Sequence, residues 1–473
     1  MQTLQEVNAS QPAAGTGPTS WDWDLIQRYD KAGPRYTSYP TAVQFHDGVQ
    51  GDQVLEHLGQ RCDTEKGLSL YVHVPFCHQL CWYCGCNMRV SRKPDQIADH
   101  IAVIQREIDL TSEWLRGDRR VFQLHFGGGT PNYAGPQQLQ ALMTTLRRRF
   151  VIQPEAEISI EVDPRLLDEA RLEHCHDLGF NRISMGIQDF DPKVQKAINR
   201  RLSLEKVTSL LQSWRTLSQA GVNMDLIYGL PLQTPGSFKH TLDAVIDLAP
   251  ERIALFNFAY MPWLKPHQKL IRESDLPRPE QKFEILQQTV ESLAAAGYVA
   301  IGMDHFAKPS DPLAQALSRD RLHRNFQGYT TMPDLEMLGF GMSAISMFDG
   351  LYVQNHNDLR TYERSIEESR PATWRGVVLT EDDRLRRGII NHLMCRSQVD
   401  LDMIEAMVGI PFDQYFPGAR ERLDEMTRDG LLIRDDQRYR TTETGRLLLR
   451  NVAMVFDAYL PKLNGDRRFS RTV

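Results

Sequence analysis

Between Leu68 and Met303 the chain alternates short β-rich runs with amphipathic helical stretches, a rhythm that narrows the possible folds more than any other feature. The runs are LSLYVHV (68 to 74), VFQLHF (121 to 126), EISIEV (157 to 162), RISMGIQ (182 to 188), NMDLIY (223 to 228), RIALFNFA (252 to 259) and VAIGM (299 to 303). Between them, Ile97, Ile101, Ile104 and Ile108 recur at steps of four, three and four, and Phe283, Leu286, Val290 and Leu293 at three, four and three. That is the period of a helix with one apolar face. Repeated strand-helix units joined by right-handed crossovers build an α/β parallel sheet, either doubly wound or curled into a full or partial barrel.

Within the strands the alternation says more. Ile158, Ile160 and Val162 leave Ser159 and Glu161 on the other face; Ile183, Met185 and Ile187 leave Ser184 and Gln188; Met224 and Leu226 leave Asn223 and Asp225. Phe122, Leu124 and Phe126 likewise leave Gln123 and His125, and Leu70, Val72 and Val74 leave Tyr71 and His73. A closed barrel ordinarily fills its interior with branched aliphatics. Burying this many polar groups unpaired costs about 1–3 kcal/mol each, so a ligand cavity is expected. The alternative is a packed interior whose polar groups satisfy one another. Glu161, Gln188 and Asp225 fall near the carboxyl ends of their strands, where ligands bind in such architectures.

At the end of the first run stands Cys77-His78-Gln79-Leu80-Cys81-Trp82-Tyr83-Cys84-Gly85-Cys86. Three thiolates spaced C-x3-C-x2-C hold three corners of a 4Fe-4S cube and leave one iron open to a second cofactor. Structural zinc ordinarily takes two Cys pairs separated by a longer loop, and no second pair follows. Seven cysteines, with Cys62, Cys175 and Cys395 isolated, suit a reducing compartment better than a disulfide framework. Cys86 is either a fourth ligand or a neighbouring thiol. After the second run, Gly127-Gly128-Gly129-Thr130-Pro131 lets backbone N–H groups approach a carboxylate or phosphate.

A net charge of -6 over 473 residues gives no general case for binding nucleic acid or an anionic membrane. No apolar run reaches the length of a membrane span, and the first twenty residues lack a basic start and an apolar stretch, so a cytoplasmic location is expected. Residues 1 to 20 read as a flexible tail, 21 to 66 as an N-terminal segment, 67 to 350 as the barrel domain and 351 to 473 as a mainly helical C-terminal domain. ERLDEMTRDGLLIRDDQRYRTTETGRLLL (421 to 449) has a winged-helix rhythm, but its arginines are offset by acids, so a lid or wall is expected rather than a DNA reader.

The cysteine spacing, the glycine turn and the polar strand tips together resemble the radical S-adenosylmethionine superfamily. Within it, YVHVPFCHQLCWYCGCN, FGGGTP, ISIEVDP, RISMGIQDF, DLIYGLP, GMDHFA, HRNFQGYTT, GMSAISM and the upstream GPRYTSYPTA (33 to 42) closely resemble the oxygen-independent coproporphyrinogen III oxidases. The resemblance implies a partial (β/α)6 barrel and a cluster on Cys77, Cys81 and Cys84, with Cys86 not a ligand. It implies that Tyr71, Gly128, Glu161 and Ile345 contact cluster-bound S-adenosylmethionine. A second S-adenosylmethionine would meet Tyr83, Gly129, Thr130, Gln188, Arg200, Asp225 and Ala259; Tyr83 stands where the family also uses phenylalanine.

The implied reaction turns two propionates of coproporphyrinogen III into vinyl groups, giving protoporphyrinogen IX and two carbon dioxide molecules in haem biosynthesis. It needs an electron donor such as flavodoxin or ferredoxin and an electron acceptor that the sequence does not name; a monomer is expected. Side-chain bases cannot remove an unactivated β-hydrogen, so no protein side chain is assigned as catalytic. Arg35, His323, Arg324, Asn325 and Gln327 are candidates for holding the substrate carboxylates, against a reading of the two arginines as surface or structural. A haem-binding chaperone on the same fold usually carries phenylalanine at the position of Cys86 and lacks GPRYTSYPT. A tetrapyrrole methyltransferase is the other alternative.

Overall fold

The computed structural model describes residues 22–61, 66–218, 221–333 and 335–460. The expected tail at 1 to 20 and Cys62 lie outside them. Twelve strands form one sheet: β1 Leu68–Val74, β2 Arg120–Gly128, β3 Val151–Val162, β4 Arg182–Gln188, β5 Val222–Tyr228, β6 Arg252–Asn257, β7 Val299–Gly302, β8 His305–Ala307, β9 Glu336–Phe340, β10 Ile345–Phe348, β11 Leu351–Asn355 and β12 Thr373–Val378. Their order is β12-β11-β10-β9-β1-β2-β3-β4-β5-β6-β8-β7. From β9 through β6 every neighbouring pair is parallel.

Each of β1 to β6 is followed by a helix, in turn Pro94–Trp114, Pro136–Arg149, Glu169–Asp177, Leu204–Leu217, Pro235–Leu248 and Pro279–Ala295. Proline at the first turn of four of them and side-chain N-caps such as Asp168, Ser203 and Thr234 satisfy backbone N–H groups that a helix start leaves free. Ile97, Ile101, Ile104 and Ile108 are all buried on the first helix, as their spacing requires. On the last, Phe283 and Leu293 are buried while Leu286 and Val290 pack partly buried against the core. β5 shows the alternation directly: Val222, Met224, Leu226 and Tyr228 are buried, and Asn223, Asp225 and Ile227 face a cavity.

The run at 299 to 303 does not extend the parallel series. β7 pairs antiparallel with β8, because the two residues between them allow a hairpin but no crossover. The strand that flanks β1 on its other side is β9, five buried residues with no polar alternation to betray it. A boundary at 350 falls between β10 and β11, which are hydrogen-bonded neighbours, and the sheet runs on to Val378.

Beyond it, helices Glu381–Arg396, Leu401–Val408 and Ala419–Arg428 pack with a three-stranded sheet of Gln398–Asp400, Leu432–Asp435 and Arg438–Thr441. Their core also takes in Leu25, Ile26, Tyr29, Tyr36 and Tyr39 from the N-terminal segment. Arg450 fastens that segment, donating from Nε to Pro34 O (3.1 Å) and from Nη2 to Gly33 O (2.5 Å). Tyr36 donates its hydroxyl to Asp457 Oδ2 at 2.9 Å.

Candidate active site

The inward residues of β2 to β6 surround a cavity of about 540 Å³, and the cysteine loop lies against its wall. Gln123, His125, Ser159, Glu161, Ser184, Gln188, Asn223 and Asp225 all line it, as the alternation predicts. The two readings of that alternation merge, for the wall groups also pair with one another. Asn223 donates to Ser184 Oγ and Asp225 Oδ1 (both 2.8 Å), Ser184 donates to Asp225 Oδ2 (3.0 Å), and His125 lies 2.7 Å from Ser159 Oγ. Burial, with the charge of Glu161 added, raises the Asp225 carboxyl to about 6 against the pull of those donors.

The glycine turn is clamped to the end of β1 and the segment that leads into the cysteine loop. Gly129 N donates to Val74 O (2.8 Å), Thr130 N to Phe76 O (2.9 Å), and Thr130 Oγ1 to Cys77 Sγ (3.3 Å). A Cβ on Gly129 would sit 2.4 Å from Pro75 O, so no larger residue fits without moving the cysteine loop. Gly128 has φ +118°, with its N–H on Glu161 Oε2 at 3.2 Å and the His73 ring beneath it. Burial lowers His73 to about 4, leaving it neutral, with Nε2 donating to Asn87 O (2.9 Å) and Nδ1 accepting from the Tyr71 hydroxyl (3.0 Å). Tyr71 in turn stacks on His125 at 5.9 Å between ring centroids.

Charge gathers around the sulfur atoms. Arg200 Nη1 and Arg165 Nη2 each lie 3.7 Å from Cys81 Sγ, and both guanidiniums pair with Asp163, at 3.1 and 2.6 Å. Arg200 also donates to Gly186 O at 2.6 Å. Burial raises the Cys77 thiol to about 12, while its hydrogen bond with Cys86 lowers Cys84 to about 7. The segment after β6 supports the loop from outside: His267 donates to Cys84 O (2.8 Å), Gln268 to Tyr83 O and Ala259 O (both 3.1 Å), and Lys265 to Cys86 O (3.0 Å). Sequence reasoning missed Asp163, Arg165, Lys265, His267 and Gln268. Asp163 was within view in ISIEVDP, whereas the other contacts are visible only in three dimensions.

These residues fit a 4Fe-4S cluster and a nucleoside sulfonium beside it. Among the described residues no three His, Cys, Asp or Glu side chains converge closely enough to share a single metal ion. Cys77, Cys81 and Cys84 all border the cavity, a donor set that offers a cube one thiolate for each of three irons. At the end of β4 a register shift between Gly186 and Gln188 turns Gln188 into a left-handed conformation (φ 71°), buried, with its Oε1 unpartnered among the described residues. Such a strained, unsatisfied carbonyl on a cavity wall is what a ligand donor would complete.

Of the other sequence candidates, Tyr83, Gly128, Gly129, Thr130, Arg200, Ala259, Asn325 and Gln327 also line this cavity. Ile345 stands at the start of β10, packed with Phe45 and Phe326 in a neighbouring apolar cluster. Arg35 pairs with Asp304 and lies over the Phe256 ring at 5.6 Å. His323, Arg324 and Asn325 border a second cavity of about 270 Å³. Cys175 and Cys395 are buried thiols raised to about 12 by burial.

Residues 71–245 match the Radical SAM superfamily, and residues 379–448 match the HemN C-terminal domain. With the parallel sheet and its cysteine loop, this defines a radical S-adenosylmethionine enzyme, which works with a 4Fe-4S cluster and S-adenosylmethionine. The chain is 45% identical to the oxygen-independent coproporphyrinogen III oxidase of Salmonella typhimurium, over 96% of this chain and 98% of that one. It is 46% identical to that of Pseudomonas aeruginosa, over 96% and 99%. The solved structure of coproporphyrinogen III oxidase from Escherichia coli, described as a radical SAM enzyme, superposes with a TM-score of 0.88 at 44% identity, covering 94% of this chain and all of that one. The chain belongs to the oxygen-independent coproporphyrinogen III oxidase family.

Proposed function

We propose that this chain oxidatively decarboxylates two propionate side chains of coproporphyrinogen III to vinyl groups, giving protoporphyrinogen IX. The observation that carries the reading is the cavity itself: Cys77, Cys81 and Cys84 border the same space as the polar strand tips Glu161, Gln188 and Asp225. The bound cluster and S-adenosylmethionine supply a carbon radical able to take a hydrogen from the propionate β-carbon. The protein's part is to aim it and keep water away.

In this reading Cys77, Cys81 and Cys84 hold the cluster, and Cys86, hydrogen-bonded to Cys84, is not a ligand. Tyr71, Gly128, Glu161 and Ile345 hold the first S-adenosylmethionine, Glu161 accepting from ribose hydroxyls. Tyr83, Gly129, Thr130, Gln188, Arg200, Asp225 and Ala259 hold a second. Arg35, His323, Arg324, Asn325 and Gln327 serve the substrate carboxylates. Each vinyl formed releases carbon dioxide and one electron, so a reductant of the flavodoxin or ferredoxin type primes the cluster and a separate acceptor takes the electron. We further propose that the chain works as a monomer in the cytoplasm; among the described residues no helix is long and apolar enough to cross a membrane. The helical unit from Glu381 onward serves as a wall over the barrel rather than a DNA reader.

Anaerobic incubation of the reconstituted protein with coproporphyrinogen III, a reductant and S-adenosylmethionine tests this by mass spectrometry. Loss of two carboxyl groups per porphyrinogen is expected. A methylated product, or tight haem binding without turnover, overturns it.

A further inference from the structure

The second cavity, of about 270 Å³, lies between the N-terminal stretch Tyr36 to Tyr39, the hairpin of His323–Asn325 and Gly328–Thr330, and helix Glu381–Arg396. Asn325 and Thr330 border both cavities, so the hairpin is a wall that the two share. Arg324, also on that hairpin, is 7% exposed. Its guanidinium lies over the Tyr329 ring at 4.5 Å and bonds the Tyr329 hydroxyl, while Nε and Nη1 have no partner among the described residues.

A buried guanidinium with two unpaired donors is a costly arrangement that a nearby anion relieves by balancing its charge. The neighbouring charges do not relieve it. Arg35 takes up Asp304, and Arg450 is spent on the Gly33 and Pro34 carbonyls. Glu336, on the cavity wall, is engaged by Arg61 and His57. Around the rim, Lys66, Arg384 and Arg387 stand 3.5, 3.6 and 3.4 Å from Asp349, three cations on one carboxylate. In a chain with a net charge of -6 this is a local excess of positive charge with its most buried member unmatched.

We propose that this second cavity is a carboxylate subsite, anchored by Arg324 and drawn on by Arg384 and Arg387, which grips tetrapyrrole propionates that are not reacting. The proposal rests on the coproporphyrinogen reading above. A substrate with four carboxylates presents one at a time to the radical, and the rest need cationic partners. The shared hairpin places those partners next to the reaction cavity. After the first vinyl forms, the remaining carboxylates keep the intermediate from leaving before the second.

The test uses the full-length, cluster-loaded protein and coproporphyrin III as a fluorescent probe, with protoporphyrin IX, which has two carboxylates, for comparison. Arg324→Gln is expected to weaken coproporphyrin III binding about 10-fold or more, with a smaller effect on protoporphyrin IX. Binding of S-adenosylmethionine and the cluster's electron paramagnetic resonance spectrum stay as in the wild type. Arg384→Gln changes a half-exposed rim residue and poses little risk to folding; it weakens the same probe about 3-fold at low salt, and added salt erases the difference. In turnover both variants raise KM for coproporphyrinogen III more than they lower kcat, and release the monovinyl tricarboxylate. If Arg324→Gln does not fold, Arg384→Gln and Arg387→Gln decide. Wild-type probe affinity and KM in the folded variants overturn the subsite. A wild-type protein that leaves coproporphyrinogen III unchanged overturns the functional reading instead.

Discussion

Arg200 points a guanidinium nitrogen at the sulfur of Cys81 from 3.7 Å, while the same nitrogen is held 3.1 Å from Asp163. Burial opposes the charge on Arg200, but Tyr83, Asp163 and Cys81 keep it protonated. A fixed cation beside a cluster thiolate favours the more negative, reduced state. Replacing Arg200 with Gln should therefore shift the cluster's reduction potential to more negative values. Anaerobic redox titration followed by electron paramagnetic resonance checks this, with Arg200→Lys expected to restore part of the shift.

Gly129→Ala places a methyl group 2.4 Å from Pro75 O, a backbone atom that cannot swing aside. Overpacking of this kind costs about 1–3 kcal/mol, here concentrated on the segment that leads from β1 into Cys77. The expected outcome is a folded protein with lowered melting temperature and depleted iron and sulfide. Gly59→Ala, where nothing lies within 4 Å, should leave both unchanged.

At the amino end of the strands Glu157 bonds Arg182 (2.9 Å) and Arg252 (3.2 Å), and Arg252 also reaches Asp311 (2.9 Å). Burial works against its ionised form, but Arg252 and Arg182 hold the carboxyl down at about 2. A carboxyl depressed in the folded state lends stability above its unfolded value of about 4.3 and loses it as pH falls toward 2. Glu157→Gln should destabilise the protein by about 3 kcal/mol at neutral pH, the low end for a broken buried pair, because the cavity admits water to a side chain one-third exposed. Wild type and variant should converge between pH 4.5 and pH 2 in thermal denaturation.

Asp225 titrates at about 6, since burial and Glu161 both disfavour its charge. A cationic ligand resting against it would prefer the ionised form. Affinity for S-adenosylmethionine is thus expected to rise as pH passes upward through 6 and to level off above it. Asp225→Asn should flatten the profile, as read by anaerobic calorimetry between pH 5 and pH 8.

Much of this site can be read from sequence because strands repeat every two residues and a loop ligand set is local. Glu161, Ser184 and Asp225 declare themselves as cavity residues through their apolar neighbours, and the cysteine loop that borders the same cavity stands out by its spacing. What stays hidden depends on distant segments meeting. His267 supports Cys84 across 183 residues, and Tyr36 finds Asp457 across 421. β9 is hidden for a different reason: all five of its residues are buried, so no polar alternation marks it as a strand. VAIGM misleads because a strand's own pattern does not encode whether its partner runs parallel; that is set by the two residues that follow.

The walls of the smaller chamber are drawn from residues 36 to 39 and from residues 384 to 391, far apart along the polypeptide. During synthesis the cysteine loop and its barrel can therefore form while that compartment still lacks the five lining residues between Arg384 and Asn391. None of those late residues lines the cysteine-bordered cavity, so under the proposed subsite it is the tetrapyrrole's cationic partners, and not the cluster's surroundings, that wait until translation has passed Arg387.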